Sequence, residues 1–383
     1  MKEIYFDNSA TTKPYPEAAD QARLAIEEMF HNPSSIYSRG IAVSRKMEEI
    51  REITAETINA KPRSIVFTSG GTESINTAIM SALRNSRGRH IVTTEYEHDA
   101  TLNIIKKYER EGWKVTYIKP ENGKIEAESI LNAVSSDTAL VSVMHVNNET
   151  GNIIDINLLG TELKKKNPGT ALHIDAVQSY MKLRLDVEKC SADYLSISGH
   201  KIHAVKGTGV LYVRDTSRFN PVFLGGGQEK GYRSGTENTP GIFAFGKAVE
   251  LNYGDFNKKT EYIRDLRDYF RASLEENIEN IRFNSPEEGV CHILNVSFKG
   301  AKAEILLHTL ESRGIYVSTG SACSSKKKGS HVLRSLGLRD IEIEGAIRFS
   351  LSSLNTKEEI DSCISELKAA VEDIRMITKF GRR

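Results

Sequence analysis

One lysine stands at the end of a short apolar run, Leu195-Ser196-Ile197-Ser198-Gly199-His200-Lys201. A β-strand that stops at a Ser-Gly-His turn presents its last side chains at a sheet edge, where loops build sites. A lysine held there can be desolvated enough to lose its proton near neutrality and attack a carbonyl as a free amine. About one βαβ repeat upstream, His173-Ile174-Asp175-Ala176-Val177-Gln178 is a second strand ending, this time on an aspartate. Taken singly, each has an ordinary alternative: a surface lysine after a buried strand, and an aspartate capping a helix. Together they are the pair that pyridoxal phosphate needs. The lysine carries the aldehyde as a Schiff base, and the aspartate keeps the pyridine nitrogen protonated so that the ring draws in electrons.

Further segments could serve the same site. Ser64-Ile65-Val66-Phe67-Thr68-Ser69-Gly70-Gly71-Thr72-Glu73-Ser74 reads as strand, glycine-rich turn and helix start. Glycines let the backbone approach an anion, and the first helical N–H groups hold it. His98, in Glu95-Tyr96-Glu97-His98, falls after the next strand, where an imidazole could lie over a cofactor ring or shuttle a proton. An asparagine in His145-Val146-Asn147-Asn148-Glu149 could donate an amide hydrogen to a phenolate on the ring. A second glycine-rich, hydroxyl-bearing loop runs from Gly225-Gly226-Gly227-Gln228-Glu229 to Arg233-Ser234-Gly235-Thr236. Cys323 lies in a small, polar, basic segment, Ser318 to Ser330, with Lys326, Lys327 and Lys328 close by. Cysteine usually packs as a small hydrophobe, yet this segment offers nothing to bury it, and nearby cations favour the reactive thiolate. The segment is expected to carry an exposed thiol and to be poorly ordered without a partner.

The elements that must position these residues follow from the apolar pattern. Near-continuous apolar runs at 64–68, 90–94, 114–118, 139–146, 171–175, 194–198 and 209–213 predict a seven-stranded, mostly parallel sheet buried on both faces. Residues 1–16 read as an extended entry strand and loop, with helices following to about 30 and around 43–58. The composition turns polar near Tyr253-Gly254-Asp255-Phe256-Asn257, ahead of a long charged helix over 258–277. A large domain over 17–256 is expected, with 1–16 and 257–383 forming a smaller α+β domain. Its strands are expected near 281–283, 292–298, 315–318 and 346–351, with a final helix over 356–378. The 383 residues carry 52 lysines and arginines against 51 acidic residues, so no charge excess points to nucleic acid or an anionic membrane as a partner. The four cysteines form no CxxC pair, which argues against a disulfide scaffold or a zinc ribbon and fits a reducing compartment. Cys190, Cys291 and Cys363 sit in helical or strand patterns and read as structural. The start lacks a signal-peptide apolar core, and no apolar stretch approaches the ~20 residues that span a bilayer. A soluble, cytoplasmic protein without a metal site is expected.

These segments, in this order, resemble the pyridoxal-phosphate-dependent cysteine desulfurases of the NifS/IscS type, within the class V aminotransferases. Asp7-Asn8-Ser9-Ala10-Thr11-Thr12, Val146-Asn147-Asn148-Glu149, Ser321-Ala322-Cys323 and Ile347-Arg348-Phe349-Ser350 complete the match, from residue 7 to about 350. The resemblance implies a homodimer of aminotransferase fold type I. It matches Lys201 to the Schiff-base lysine, Asp175 to the pyridinium partner and His98 to the ring-stacking histidine. Asn148 and Gln178 match residues at the phenolic oxygen, and Gly71, Thr72, Ser198 and His200 match phosphate ligands. Thr236 matches a threonine that reaches the phosphate of the neighbouring subunit. Arg348 matches the arginine that binds the substrate carboxylate, with Asn148 beside it, and Cys323 the nucleophile that accepts sulfur. Ala204-Val205 stand where the family usually has Gly-Pro, and Tyr37 where a histidine is frequent. Lys326-Lys327-Lys328-Gly329 replace a Leu-Glu-Pro-Ser-like segment in a loop that meets acceptor proteins.

The activity implied is conversion of L-cysteine to L-alanine with a persulfide left on Cys323, for transfer to an iron–sulfur scaffold or a tRNA sulfurtransferase. A related enzyme on the same cofactor, such as a selenocysteine lyase or an aminotransferase, would not depend on the loop thiol. A sulfur-delivery scaffold that has lost turnover is a reading of another class, and retention of Lys201, Asp175 and Cys323 together argues against it.

Overall fold

The computed structural model describes residues 3–319 and 329–378. Its strands are β1 (Ile4–Tyr5), β2 (Ile65–Thr68), β3 (His90–Thr94), β4 (Lys114–Ile118), β5 (Thr138–Met144), β6 (Ala171–Asp175), β7 (Tyr194–Ser198), β8 (Gly209–Val213), β9 (Ile281–Phe283), β10 (Ile293–Phe298), β11 (Ile315–Tyr316) and β12 (Ala346–Ser350). The first six helices are α1 (Pro16–Glu27), α2 (Ser38–Glu56), α3 (Gly71–Arg84), α4 (Asp99–Arg110), α5 (Ala127–Ala133) and α6 (Ile156–Lys166). The others are α7 (Thr239–Gly254), α8 (Phe256–Asn277), α9 (Ala303–Glu311), α10 (His331–Ser335), α11 (Asp340–Glu344) and α12 (Lys357–Thr378).

Seven strands form the main sheet in the order β2-β8-β7-β6-β5-β3-β4. Only β8 runs against its neighbours, so the other six share one direction. Every residue of β5 is buried, as the unbroken apolar run Ala139-Leu140-Val141 followed by Val143 and Met144 requires of a strand covered on both faces. Helices between the strands supply that cover. The entry to α6 is set by Asp155, whose carboxylate accepts the N–H groups of Asn157 and Leu158. Lys164, Lys165 and Lys166 face the negative end of the helix dipole in its last turn. Register aligns the strand ends that matter. Met144 pairs with Asp175, and Asp175 with Ser196, so the loops after β5, β6 and β7 emerge side by side.

A second core gathers Ile4 and Phe6 with residues 263–374, separate from the cluster around the main sheet. It packs α8, α9 and α12 on the antiparallel sheet β12-β10-β9, with β1 and β11 paired in parallel beside it. The predicted strand at 315–318 stops at Tyr316, because Ser318 instead makes a lone bridge to Arg348 of β12. The run predicted to 146 stops at Met144, where the chain turns and Val146 bridges to Ile153. Among the described residues no helix is long and apolar enough to cross a membrane.

Candidate active site

Lys201 ends a single 3-10 turn, Gly199–Lys201, that follows β7 directly. Its Nζ donates to the carbonyls of Ser9 (2.5 Å) and Ala10 (2.8 Å). The loop carrying those carbonyls is itself tied to the lysine turn. Thr12 donates its N–H and its hydroxyl to the His200 carbonyl, and Thr11 Oγ1 lies 3.1 Å from His200 Nδ1. Burial, with Lys201 and Lys206 nearby, pushes His200 down to about 4, so its ring is neutral at physiological pH. Asp175 is the last residue of β6, and its Oδ1 accepts the Val177 N–H at 2.9 Å. Burial pushes this carboxyl above the usual carboxylate range, while the Val177 N–H, His98 and Lys201 favour its charged form.

The glycine-rich turn lies at the same sheet edge. Gly70 has φ 152° and ψ −176°, a conformation open to glycine, and α3 begins at Gly71. A Cβ on Gly71 would sit 2.8 Å from Val177 Cγ2 and 3.6 Å from Ser198 Cβ. The helix start is thus pressed against the loops after β6 and β7. Glu73 in the first turn accepts the Ser69 N–H at 3.0 Å and pairs with Arg233 at 3.0 Å. The N–H groups of a first helical turn have no intrahelical acceptor and favour an anion.

His98 caps α4, its Nδ1 accepting the Ala100 N–H at 3.1 Å, so in the neutral ring the hydrogen is on Nε2. Gln178 donates its amide Nε2–H to the Ser9 carbonyl at 3.0 Å. Arg348, from β12 of the second core, is 3% exposed. It donates through Nη1 to the Asn148 carbonyl (2.8 Å) and through Nη2 to Asp7 Oδ1 (2.6 Å).

One cavity of about 990 Å³ takes in nearly all of these groups. Gly71, Thr72, His98, Asn148 and Asp175 line it, and so do Gln178, Ser198, His200, Lys201 and Arg348. Thr236 does not; it is exposed on the loop before α7. Cys323 lies outside the described residues. The donor set fits pyridoxal phosphate: an amine, a buried carboxylate at a neighbouring strand end, and a helix start at Gly71 and Thr72 that lines the same cavity. Cys190, Cys291 and Cys363 are buried, and burial pushes each thiol up, Cys190 to about 11. Among the described residues no group of three or more acidic, histidine or cysteine side chains could hold a metal.

Several residues inside the sequence motifs take roles here that the sequence does not assign. Asp7 holds Arg348, and the carbonyls of Ser9 and Ala10 hold Lys201. Glu97 and Glu149 line the cavity as buried carboxyls. Glu149 Oε2 accepts the Ser330 hydroxyl at 2.5 Å, and the Glu97 carbonyl lies 3.2 Å from His331 Nε2, which ties the start of α10 to the cavity wall.

The family model described as aminotransferase class V matches residues 4–363. A protein of Trichormus variabilis named cysteine desulfurase 2 is 41% identical over 385 residues, covering 100% of this chain and 96% of that protein. A Clostridium botulinum protein named cysteine desulfurase IscS is 39% identical, over 98% of this chain and 96% of its own length. Among solved structures, one titled NifS-like protein superposes with a TM-score of 0.91 at 34% identity, covering 97% of this chain and 100% of that one. Another, titled SspA in complex with cysteine, gives 0.82 at 33% identity, over 92% of this chain and 100% of that one.

Proposed function

The chain belongs to the aminotransferase class V family, and we propose that it is a cysteine desulfurase that converts L-cysteine to L-alanine and leaves a persulfide on Cys323. The observation that carries this reading is the convergence of Lys201, Asp175 and Arg348 on one cavity, the first two from the main sheet and the third from the second core. Pyridoxal phosphate, when bound, supplies an aldehyde that captures amines and a ring that takes up electron density from the substrate's α-carbon.

The chain's own residues do the rest. Gly71, Thr72, Ser198 and His200 would hold the cofactor's phosphate, Asp175 would pair with the ring nitrogen, His98 would stack on the ring, and Asn148 and Gln178 would donate to the phenolic oxygen. Arg348 binds the substrate carboxylate as a two-pronged fork and so orients the bond to be broken. Lys201 Nζ, released from the carbonyls of Ser9 and Ala10, moves a proton at the substrate's α-carbon. The Cys323 thiolate attacks the substrate sulfur. The carbon–sulfur bond breaks, its electron pair stays with the three-carbon unit, and that unit takes up a proton and leaves as alanine. Thr236, exposed in the single chain, is given to the phosphate of the neighbouring subunit in a homodimer. The persulfide passes to an acceptor protein of iron–sulfur assembly or of tRNA or cofactor thiolation. On this reading residues 17–256 form the large domain, and 1–16 with 257–383 the small one.

The test is direct. The purified protein should show a visible absorbance that borohydride bleaches, and should release alanine from L-cysteine. Lys201→Ala should lose both. Alanine release at the wild-type rate by the Lys201→Ala protein would sink the assignment.

A further inference from the structure

Gln178 reaches the cavity with an amide, and an amide can present either its NH₂ or its oxygen. In this fold the choice is fixed from two sides. The Ser9 carbonyl, 3.0 Å from Gln178 Nε2, can only accept, so the nitrogen must face it. The oxygen is then left toward His292, whose Nε2 lies 3.3 Å from Gln178 Oε1. An amide oxygen cannot donate, so His292 must carry its hydrogen on Nε2. His292 precedes β10, is 3% exposed and does not line the cavity. Its Nδ1 is buried with no hydrogen-bond partner among the described residues, as the unprotonated nitrogen of that tautomer can be.

We propose that His292 is a positioning residue: by donating Nε2–H to Gln178 Oε1 it holds the Gln178 amide with its NH₂ edge, and not its oxygen, turned toward the Ser9 carbonyl and the cofactor cavity. One of the two amide hydrogens goes to Ser9, and the second remains for an acceptor in the cavity. The ring must stay neutral to pack there, and its surroundings enforce this. Burial pushes His292 well below the usual imidazole range, and Lys182, Arg348, Lys201 and Arg267 all act in the same direction. No carboxylate among the groups acting on it opposes them. The same Ser9 carbonyl also accepts Lys201 Nζ, so His292, Gln178, Ser9 and Lys201 form one connected chain.

This rests on the cofactor reading above, in which Gln178 donates to the phenolic oxygen. A phenolate that loses a donor becomes more basic and keeps its proton to higher pH. In the pyridoxal-phosphate-loaded protein, His292→Phe should raise the pH midpoint of the visible absorption band by about 0.7 unit, the equivalent of one net hydrogen bond. His292→Gln retains an N–H donor and should restore the wild-type midpoint. A His292→Phe midpoint equal to the wild type, with only thermal stability lowered, would make His292 a packing residue and overturn the proposal. Should His292→Phe not fold, the wild-type protein labelled with ¹⁵N-histidine decides. A neutral Nε2–H ring between about pH 6 and 8 supports the proposal, and an Nδ1–H ring or an imidazolium overturns it. Failure of the parent reading is separate: a visible band that persists in Lys201→Ala removes the cofactor assignment and this inference with it.

Discussion

Glu97 shows how a single carboxyl can carry a pH dependence. It is fully buried just past the end of β3, and both donors that reach it, Thr94 Oγ1 at 2.6 Å and the Met144 N–H at 3.0 Å, use the same oxygen. Its Oε2 is buried with no hydrogen-bond partner among the described residues. Burial, with a smaller push from Asp175, raises this acid from 4.5 to about 8. Across that interval the folded state holds the proton more tightly than the unfolded chain. The stability it gives is therefore complete below about pH 4.5 and is lost as the pH rises toward 8. Glu97→Gln keeps the oxygen that both donors use and has no charge to bury. Denaturant unfolding at pH 5.5 and at pH 8 should show the variant gaining on the wild type as pH rises, by on the order of 1–3 kcal/mol. Parallel stability profiles would mean that Glu97 ionises without cost. Such residues escape a reading of the chain because their effect is tertiary. Lys201 and Asp175 are legible as strand endings, a pattern local in sequence. The Arg348–Asp7 pair spans 341 residues and the His292–Gln178 pair 114, and only the fold brings them together.

The turn between β2 and α3 is an element whose geometry is set by its neighbour. Gly71 lies so near the loop after β6 that an added methyl would press on Val177 Cγ2 at 2.8 Å. Gly71→Ala should cost about 1–3 kcal/mol through overpacking and should weaken retention of pyridoxal phosphate, because relief of the clash moves the helix start. Val177→Ala removes the offending methyl. The double variant should cost less than the sum of the two single costs, with a coupling of at least about 0.5 kcal/mol in favour of the pair. Simple additivity would show that the helix start is held by something other than this contact. The elements themselves were largely readable, since β-branched apolar runs between helical stretches leave few alternatives to a parallel sheet. Their ends were less so. A strand ends where its partner ends: β11 stops at Tyr316, opposite Tyr5, the last residue of β1, and Ser318 beyond it makes only a single bridge to Arg348.

At the scale of the whole molecule, the site lies where two cores meet, and the chain crosses between them more than once. Phe6 belongs to the second core, yet Ser9 and Ala10 a few residues on receive the Lys201 amine from the main sheet. Arg348 reaches back the other way to the Asn148 carbonyl, and Val332 of α10 packs into the first core while the next residue, Leu333, joins a small separate cluster. On the proposed function, substrate binding draws on both cores and the cofactor through Lys201, Asp175 and Arg348, whereas Cys323 is assigned only the attack on sulfur. That separation yields a sharp prediction. Cys323→Ser should bind pyridoxal phosphate and respond spectrally to L-cysteine as the wild type does, because Lys201, Asp175 and Arg348 are untouched. It should release alanine at less than about one hundredth of the wild-type rate, the loss expected when a nucleophile is removed and its pocket kept. It should also gain no sulfur by mass. Cys190, Cys291 and Cys363 are buried thiols with raised pKa values, far from thiolate chemistry at neutral pH. Replacing each by alanine should leave the rate per folded molecule unchanged, even where stability falls. The deciding measurement is alanine release and peptide mass for all four variants after incubation with L-cysteine. Wild-type turnover by Cys323→Ser would make the chain a lyase that expels sulfur to solvent, and loss of turnover in one of the buried-cysteine variants would move the sulfur carrier to that position.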